Sequence, residues 1–230
     1  MKITSISIVV PIYNEENTIA RVILLAEVVA KKYTRDYEII VVNDGSTDRT
    51  LEILETLQKE YSFIKIYSHA KNRGIGEALR TAYTYVTKDF IFLNSADEQV
   101  LMTELEKFIP YALDYQIVIG NRKNRKDGVI RIGVAWIYRY LLSLLFGTDI
   151  AWDINSMKLY QKKVFSELVL ESKSAFIEAE IILKGMEKGY RIKTVDIEHA
   201  SRSFGNGSGN KWRAVSRQLK DLFLYTLKKI

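Results

Sequence analysis

Residues 38–48 read EIIVVNDGSTD, an apolar run that stops at a polar turn. Isoleucine and valine favour strands, Gly45 permits a tight turn, and Ser46 or Thr47 can cap a following helix. This stretch therefore predicts a strand that ends in a turn and leads into a helix. Residues 6–15 (ISIVVPIYNE) and 90–99 (FIFLNSADEQ) have the same arrangement of an apolar run before polar residues.

Outward from these stretches, short apolar runs alternate with amphipathic segments. Strands are predicted at 6–10, 37–42, 63–67, 90–93 and 115–119, and helices at 15–32, after Thr47 and from 73 to 86. The second half is less regular, with helices predicted at 130–146, 162–170, 175–188 and the C-terminus, strands at 158–160 and 191–198, and a glycine-rich loop at 203–210. The alternation predicts an α/β fold with a mostly parallel central sheet flanked by helices. Ligands of such sheets bind beyond the carboxyl ends of the strands.

Composition limits the protein class. The chain has 230 residues, 47% of them hydrophobic, which is enough for one well-packed domain. The sequence contains no cysteine, which excludes disulfides and cysteine-based zinc sites and fits a reducing compartment. The first residues lack the layout of a signal peptide, and no stretch reaches the roughly 20 apolar residues of a membrane span. A soluble or peripheral protein is expected.

Charge is divided unevenly along the chain. Residues 1–121 carry 13 Lys/Arg and 17 Asp/Glu, a net charge of −4, whereas residues 122–230 carry 21 and 11, a net charge of +10. An acidic half suits metal ions, and a basic half suits diphosphates or anionic lipid. A solvated surface of uneven charge is the alternative.

Two helical segments have the character of membrane-surface helices. Residues 211–230 carry six Lys/Arg against one Asp, and one helical stripe collects their apolar side chains: Trp212, Val215, Leu219, Leu222, Phe223 and Leu227. Residues 129–146 are similar in character and include Trp136, Tyr138 and Tyr140. Packing on the core or in a homodimer is the alternative to membrane contact.

The strand ends carry the candidate binding residues. In an extended segment Asp97 and Gln99 point to the same side, and a carboxylate with an amide oxygen suits Mg²⁺ or Mn²⁺. Asp44 could accept hydrogen bonds from a base or ribose, and Tyr13 and Glu15 could border the base. Capped turns and a solvated acidic loop are the structural alternatives.

Taken in order, these motifs resemble the inverting family-two glycosyltransferases, and most closely the dolichol-phosphate mannose synthase group and its polyprenyl-phosphate relatives. The resemblance extends from residue 6 to about 211. The motifs that carry it are VPIYNEENT (10–18), EIIVVNDGSTDRT (38–50), NRGIGEAL (72–79), SADEQ (95–99), IGNR (119–122), DINSMK (153–158), FIEAE (176–180) and RSFGNGS (202–208).

The resemblance implies a GT-A fold and inverting transfer of a sugar from a GDP- or UDP-sugar to a lipid phosphate. It implies that the nucleotide contacts Pro11, Tyr13, Glu15, Asp44, Ala96 and Asp97. It places Mg²⁺ or Mn²⁺ on Asp97 and Gln99, and Glu180 near the acceptor. It also implies that phosphate oxygens meet Arg122, Lys158, Arg202 and Ser208. The residues expected to be catalytic are Asp97, Glu180, Arg122 and Arg202.

The chain departs from the family pattern at three places. Ser95 stands where the family has the first carboxylate of Asp-x-Asp, Asn43 replaces the first of two aspartates, and a glycine is missing near Met157, where Lys158 aligns with an arginine.

The chemistry of the acceptor decides whether a general base is needed. A hydroxyl needs one, for which Glu180 and Asp153 are candidates, whereas a phosphate oxygen is already anionic. Arg122, Arg131 and Arg202 could seat a phosphate, and the basic half favours this acceptor. A hydroxyl-specific relative, an inactive binding relative and, less well supported, a sugar nucleotidyltransferase are the alternatives. No nucleic-acid binding is expected, since no aromatic residues interleave with the basic residues of 122–126.

The predicted organisation is a single catalytic domain over 1–211, with a nucleotide-binding half at 1–121 and an acceptor-binding half at 122–211. Residues 212–230 form a basic amphipathic helix. The expected location is cytoplasmic, peripheral at the cytoplasmic face of the membrane.

Overall fold

The computed structural model describes residues 2–123, 128–149, 151–200 and 212–229. They form one seven-stranded sheet in the order β3-β2-β1-β4-β6-β5-β7. The strands are β1 (Ser5–Ile12), β2 (Asp36–Asn43), β3 (Ile64–Ser68), β4 (Phe90–Leu93), β5 (Ile117–Lys123), β6 (Lys158–Gln161) and β7 (Ile192–Glu198). Within this sheet only β6 runs antiparallel to its neighbours.

Helices cover both faces of the sheet. They are α1 (Ile19–Tyr33), α2 (Thr50–Glu60), α3 (Ile75–Tyr85), α4 (Leu105–Phe108), α5 (Val129–Phe146), α6 (Lys163–Glu167), α7 (Ile177–Glu187) and α8 (Trp212–Leu227). Because side chains alternate along a strand, Ile8 packs in the cluster that contains Ile23 of α1, whereas Val9 packs with Leu79 of α3 and Ile182 of α7. The predicted α/β architecture with a mostly parallel sheet is confirmed.

Strand direction brings the loops of interest to one edge. Since β6 is antiparallel to both β4 and β5, those two strands run the same way, and β7 pairs in parallel with β5. The loops after β1, β2, β4, β5 and β7 and the loop before β6 therefore open on the same side, called here the carboxyl edge. The candidate binding residues of the sequence follow or end these strands.

Two element bounds differ from the prediction for local reasons. Helix α1 begins at Ile19 and not at residue 15, because Glu15 to Thr18 form a turn in which the Thr18 amide donates to the Glu15 carbonyl at 3.1 Å. Strand β5 spans Ile117–Lys123 and not 115–119, because its pairing with β7 continues to Lys123. The extension places Arg122 inside a strand at the carboxyl edge.

The stripe predicted on the C-terminal helix is divided in the structure. Leu222 is buried beside Tyr225, whose ring lies 5.5 Å from that of Phe176, centroid to centroid. Leu219, Phe223 and Leu227 follow one another at helical spacing and are 43%, 62% and 54% exposed. The prediction of one apolar stripe was therefore wrong, since the helix has a core-facing side and a separate exposed apolar side.

No helix within the described ranges has both the length and the hydropathy needed to cross a bilayer.

Candidate functional site

The loops after β1 and β2 interlock at the carboxyl edge. The Asn14 amide donates to Ser46 Oγ at 2.9 Å, and the Thr47 amide donates to Asn14 Oδ1 at 2.8 Å. Asn14 has a φ of 56°, in the left-handed region that asparagine tolerates better than most residues. Its side chain thus links two loops and does not cap α1, which is preceded by Thr18. The flanking predicted residues lie here too, with Pro11 and Tyr13 half-buried and Glu15 buried.

Asp44, the first residue after β2, is buried and bonded by three protein donors. Its Oδ1 accepts from the Arg73 amide at 2.9 Å and from His69 Nδ1 at 2.7 Å, and its Oδ2 accepts from the Gly74 amide at 2.7 Å. The carboxylate therefore organises the loop before α3 as well as bordering the edge where a nucleotide is expected.

The segment after β4 is bent, which corrects the expected extended conformation. Glu98 has a φ of 55° and forms a bidentate ion pair with Arg21 of α1. The Ser95 hydroxyl donates to Asp97 Oδ1 at 2.6 Å, so a hydroxyl contacts the acidic residue of this loop. Asp97 is half-buried, whereas the side chains of Ala96 and Gln99 are buried.

The end of β7 closes against this bent loop. The Ala200 amide donates to the Gln99 carbonyl at 2.8 Å, which brings the buried residue His199 to the same part of the carboxyl edge as Asp97. The fold, not its sequence neighbours, places His199 beside the acidic loop.

The residues of this loop are compatible with a divalent ion held jointly with a ligand. Mg²⁺ is commonly bound through one or two carboxylates together with substrate phosphates and water. Asp97 supplies one carboxylate at the edge, while the burial of the Gln99 side chain does not favour its predicted role as a second ligand. Across the part of the chain that the structure describes, no group of three or more His, Cys, Asp or Glu is arranged to hold a metal.

Arg122 and Asp153 form a buried bidentate pair where β5 ends and the loop before β6 begins. Arg122 Nε and Nη2 donate to the two Asp153 carboxylate oxygens at 2.6 and 2.9 Å, and both side chains are at most 10% exposed. Such a fork-to-fork contact fixes the orientation of the guanidinium. The structure thus brings together one predicted phosphate ligand and one candidate base.

Lys158 lies inside the protein, away from any surface where an acceptor could bind. Its ammonium is 0% exposed, pairs with Glu178 of α7 and donates to the Ser156 carbonyl at 3.0 Å. Glu178 also accepts from the hydroxyls of Tyr83 at 2.9 Å and Tyr160 at 3.1 Å. Burial raises the pKa of both tyrosines well above the ordinary value, so they remain neutral donors. The predicted phosphate contact of Lys158 is replaced by a buried network.

Glu180 likewise has structural partners. Its carboxylate, 1% exposed, accepts from the amides of Glu171 at 2.9 Å and Ser172 at 2.8 Å and from Lys184 Nζ at 2.7 Å. These contacts hold the segment before α7 in place, and they do not place Glu180 in an open acceptor site as expected. Arg202, Ser208 and the side chain of Arg131 lie outside the described residues.

Comparison with known proteins assigns the family. Residues 7–169 match the sequence profile described as Glycosyl transferase family 2. The chain belongs to this family. Among curated relatives, the undecaprenyl-phosphate 4-deoxy-4-formamido-L-arabinose transferase of Photorhabdus laumondii is 28% identical over 211 residues, covering 89% of this chain and 63% of the relative. The protein of the same name from Klebsiella pneumoniae is 24% identical, covering 93% and 65%. The chain thus spans slightly less than two thirds of these relatives.

Solved structures agree on the fold of this family 2 chain. Glucosyl-3-phosphoglycerate synthase from Mycobacterium tuberculosis, in complex with Mn²⁺, UDP and phosphoglyceric acid, superposes with a TM-score of 0.73 at 19% identity, covering 96% of this chain and 78% of that one. S. aureus TarS superposes with a TM-score of 0.59 at 19% identity, covering 87% and 60%. The expected GT-A fold is confirmed.

Proposed function

We propose that the chain transfers a sugar, with inversion, from a nucleotide-sugar donor to a lipid phosphate at a membrane surface. The observation that carries the membrane acceptor is a pair of exposed apolar stripes on α5 and α8. Trp136, Tyr140 and Leu144 follow one another at intervals of four residues on α5 and are 52%, 48% and 69% exposed. The outward side of α8, defined by Leu219, Phe223 and Leu227, adds a second stripe. Large exposed apolar patches mark protein or membrane interaction sites.

The composition of these helices favours a lipid surface over a protein partner. The rings of Trp136 and Tyr140 stack with centroids 5.6 Å apart, and tryptophan and tyrosine prefer the interface between headgroups and acyl chains. Helix α8 places exposed Arg213, Arg217 and Lys220 beside its apolar side, as expected for anionic lipid. Peripheral binding at the cytoplasmic face is the location proposed, and a homodimer through the same surface is the alternative occupant.

The donor is proposed to bind at the carboxyl edge. The nucleotide would contact Pro11, Tyr13, Glu15, Asp44, Ala96 and Asp97, which lie on the loops after β1, β2 and β4. UDP is the nucleotide proposed for the donor, and GDP is the alternative. UDP is favoured because the superposed Mycobacterium tuberculosis synthase was solved in complex with UDP and Mn²⁺ or Mg²⁺. A divalent ion held by Asp97 would supply positive charge beside the departing diphosphate.

The state of two carboxylates supports a phosphate acceptor. A hydroxyl acceptor would need a general base, but Glu180 is buried with three donors and Asp153 is paired with Arg122. A phosphate monoester brings its own anionic oxygen and needs cations instead. Arg122, oriented by Asp153, is proposed to meet it, together with Arg131, Arg202 and Ser208.

The donor site is tested by calorimetric titration of UDP, GDP and their sugar conjugates with Mn²⁺, Mg²⁺ or EDTA. Metal-enhanced binding of one nucleotide that is lost in Asp97→Ala is expected. The matched control is Asp36→Ala, which removes a carboxylate at the opposite end of β2, where Asp36 pairs with Lys88. No binding by folded wild-type protein would refute the proposal and favour an inactive relative.

The acceptor class is tested by a transfer assay with the bound donor. Undecaprenyl phosphate is compared with undecaprenol, which offers a hydroxyl on the same chain, and with phosphoglyceric acid. We expect product with undecaprenyl phosphate and none with the other two acceptors. Product from the hydroxyl acceptor would show that the alternative acceptor class is correct.

Membrane contact is tested by co-sedimentation with vesicles of phosphatidylglycerol and phosphatidylcholine. Leu144→Ser with Phe223→Ser is expected to release the protein from vesicles, and Leu113→Ser is the matched control because Leu113 is 57% exposed before β5, away from both helices. If the double variant instead converted a dimer to a monomer without changing vesicle binding, the stripes would be a protein interface.

A further inference from the structure

His69 links two elements that border the proposed donor site. Its backbone amide donates to the Asn43 carbonyl at 2.9 Å, which extends the β2 ladder by one bond. Its ring then reaches Asp44 through Nδ1 at 2.7 Å and Thr81 of α3 through Nε2 at 2.9 Å. The side chains of His69 and Asp44 are only 7% and 5% exposed. The ring therefore connects the end of β2 to the body of α3.

The direction of these two bonds follows from their partners. A carboxylate only accepts hydrogen bonds, so the Nδ1 atom must carry a proton toward Asp44. In the neutral ring Nε2 is then an acceptor, and the Thr81 hydroxyl donates to it. Each nitrogen thus makes a separate contact: Nδ1 bonds Asp44 at the carboxyl edge, and Nε2 bonds Thr81 on α3.

The Asp44 carboxylate in turn shapes the loop between β3 and α3. The amides of Arg73 and Gly74 converge on it, and Gly74 has a φ of 96°. The same loop lies against Gly45, where an added Cβ would come within 2.4 Å of the Lys71 carbonyl carbon. The loop therefore rests on the two residues that follow β2, at the edge where the nucleotide is proposed to bind.

We propose that His69 is a positioning residue for the donor, acting by holding the Asp44 carboxylate and through it the loop 69–74. This inference rests on the proposed donor site. His69 donates one of the three hydrogen bonds to the carboxylate, and it is the only side chain among these three donors. Without it, Asp44 would keep two backbone amides but lose the group that fixes its rotation from the side of α3.

Asparagine and glutamine separate the two tasks of the ring. The amide nitrogen of asparagine can occupy the place of Nδ1, and that of glutamine the place of Nε2. His69→Asn should therefore keep the bond to Asp44 and lose the contact with Thr81, whereas His69→Gln should do the reverse. A purely space-filling role would not produce this order, because both substitutions put a smaller polar side chain in the same cavity.

The test is calorimetric titration of UDP with Mn²⁺, and of GDP in parallel, into wild type, His69→Asn, His69→Gln and Thr81→Val. The dissociation constant should stay within about twofold of wild type in His69→Asn and Thr81→Val, and should rise about tenfold in His69→Gln. In the transfer assay the same loss should appear in the donor KM, with kcat at saturating donor unchanged. Urea unfolding checks that each variant is folded.

The outcomes distinguish this inference from the function on which it rests. Wild type that binds neither nucleotide would overturn both. Wild type that binds, with His69→Asn and His69→Gln equally weakened or both unaffected, would overturn the positioning role alone. Should His69→Gln fail to fold, His69→Ala takes its place, because it also removes the bond to Asp44: a dissociation constant within about twofold of wild type in folded His69→Ala would overturn the positioning role.

Discussion

Replacing Lys158 with methionine should destabilise the protein strongly, although the sequence predicts that Lys158 contacts a phosphate. Methionine is of similar length and carries no charge. The substitution removes the ammonium that pairs with Glu178 and leaves that carboxylate buried with only the hydroxyls of Tyr83 and Tyr160. Glu178 is 4% exposed, so water cannot replace the lost partner.

The expected magnitude follows from this burial. Breaking a fully buried ion pair by removing one partner typically costs about 3–5 kcal/mol, whereas replacing both partners with uncharged groups costs far less. For a chain of 230 residues, each kcal/mol lowers the melting temperature by roughly 2–4 °C, which gives a decrease of about 6–20 °C. Lys158→Met combined with Glu178→Gln should therefore lose at least about 2 kcal/mol less than the sum of the single variants.

Urea unfolding of the four proteins measures this coupling directly. Lys162→Met is the matched control, because Lys162 is exposed and should change stability by no more than about 0.5 kcal/mol. The reasoning would be refuted if Lys158→Met unfolded within about 1 kcal/mol of wild type. A weaker lipid-phosphate affinity in that stable variant would instead place Lys158 in the acceptor site, as the sequence predicts.

Two further predictions concern the loops and the response to acid. Gly45→Ala should lower the free energy of unfolding by well over 1 kcal/mol and weaken donor binding, because Gly45 has a φ of +70° and no room for a Cβ. The control is Gly147→Ala, which should cost only about 1 kcal/mol, because Gly147 has a φ of +69° but nothing within 4 Å of an added Cβ. Equal losses of stability for the two variants in urea unfolding would contradict this prediction. Burial alone would raise the pKa of Glu38, but hydrogen bonds donated by Lys65, Ser7 and Thr87 hold that pKa below its ordinary value of 4.5. The carboxylate therefore stabilises the fold fully above that value and loses its contribution as the pH falls through the lowered pKa. Glu38→Gln should flatten the acid limb of the stability curve, and parallel curves down to about pH 3 would count against this.

The elements that sequence predicted well are those whose signal is local. Residues 90–93 form a strand with the predicted bounds, because a run of four apolar residues stops at a polar turn. The loop after it was predicted as extended and is bent. Its shape depends on Arg21, 77 residues away, which pairs with Glu98, and on the Ala200 amide. No window of neighbouring residues contains those partners.

The candidate site divides in the same way. Asp44 and Asp97 could be placed at the carboxyl edge from strand order alone, since parallel strands end on one side of a sheet. The burial of Lys158 and Glu180 could not be predicted from sequence, because it depends on which helix covers the sheet. Glu178 and Glu180 differ by two positions on α7, and each takes a partner from a different direction: a lysine of β6 for one, backbone amides of residues 171 and 172 for the other.

The pairing of Arg122 with Asp153 bears on the choice between acceptors. If Asp153 were to take a proton from a hydroxyl, it would have to give up its contacts with a buried guanidinium, and stripping one partner from such a pair costs about 3–5 kcal/mol. Added to the barrier, that cost would slow transfer by roughly 10²–10⁴-fold. A phosphate acceptor avoids it, because its oxygen is already anionic and Asp153 can keep the guanidinium oriented while the acceptor approaches. The ion pair thus disfavours Asp153 as a general base for a hydroxyl, but it does not hinder attack by a phosphate oxygen.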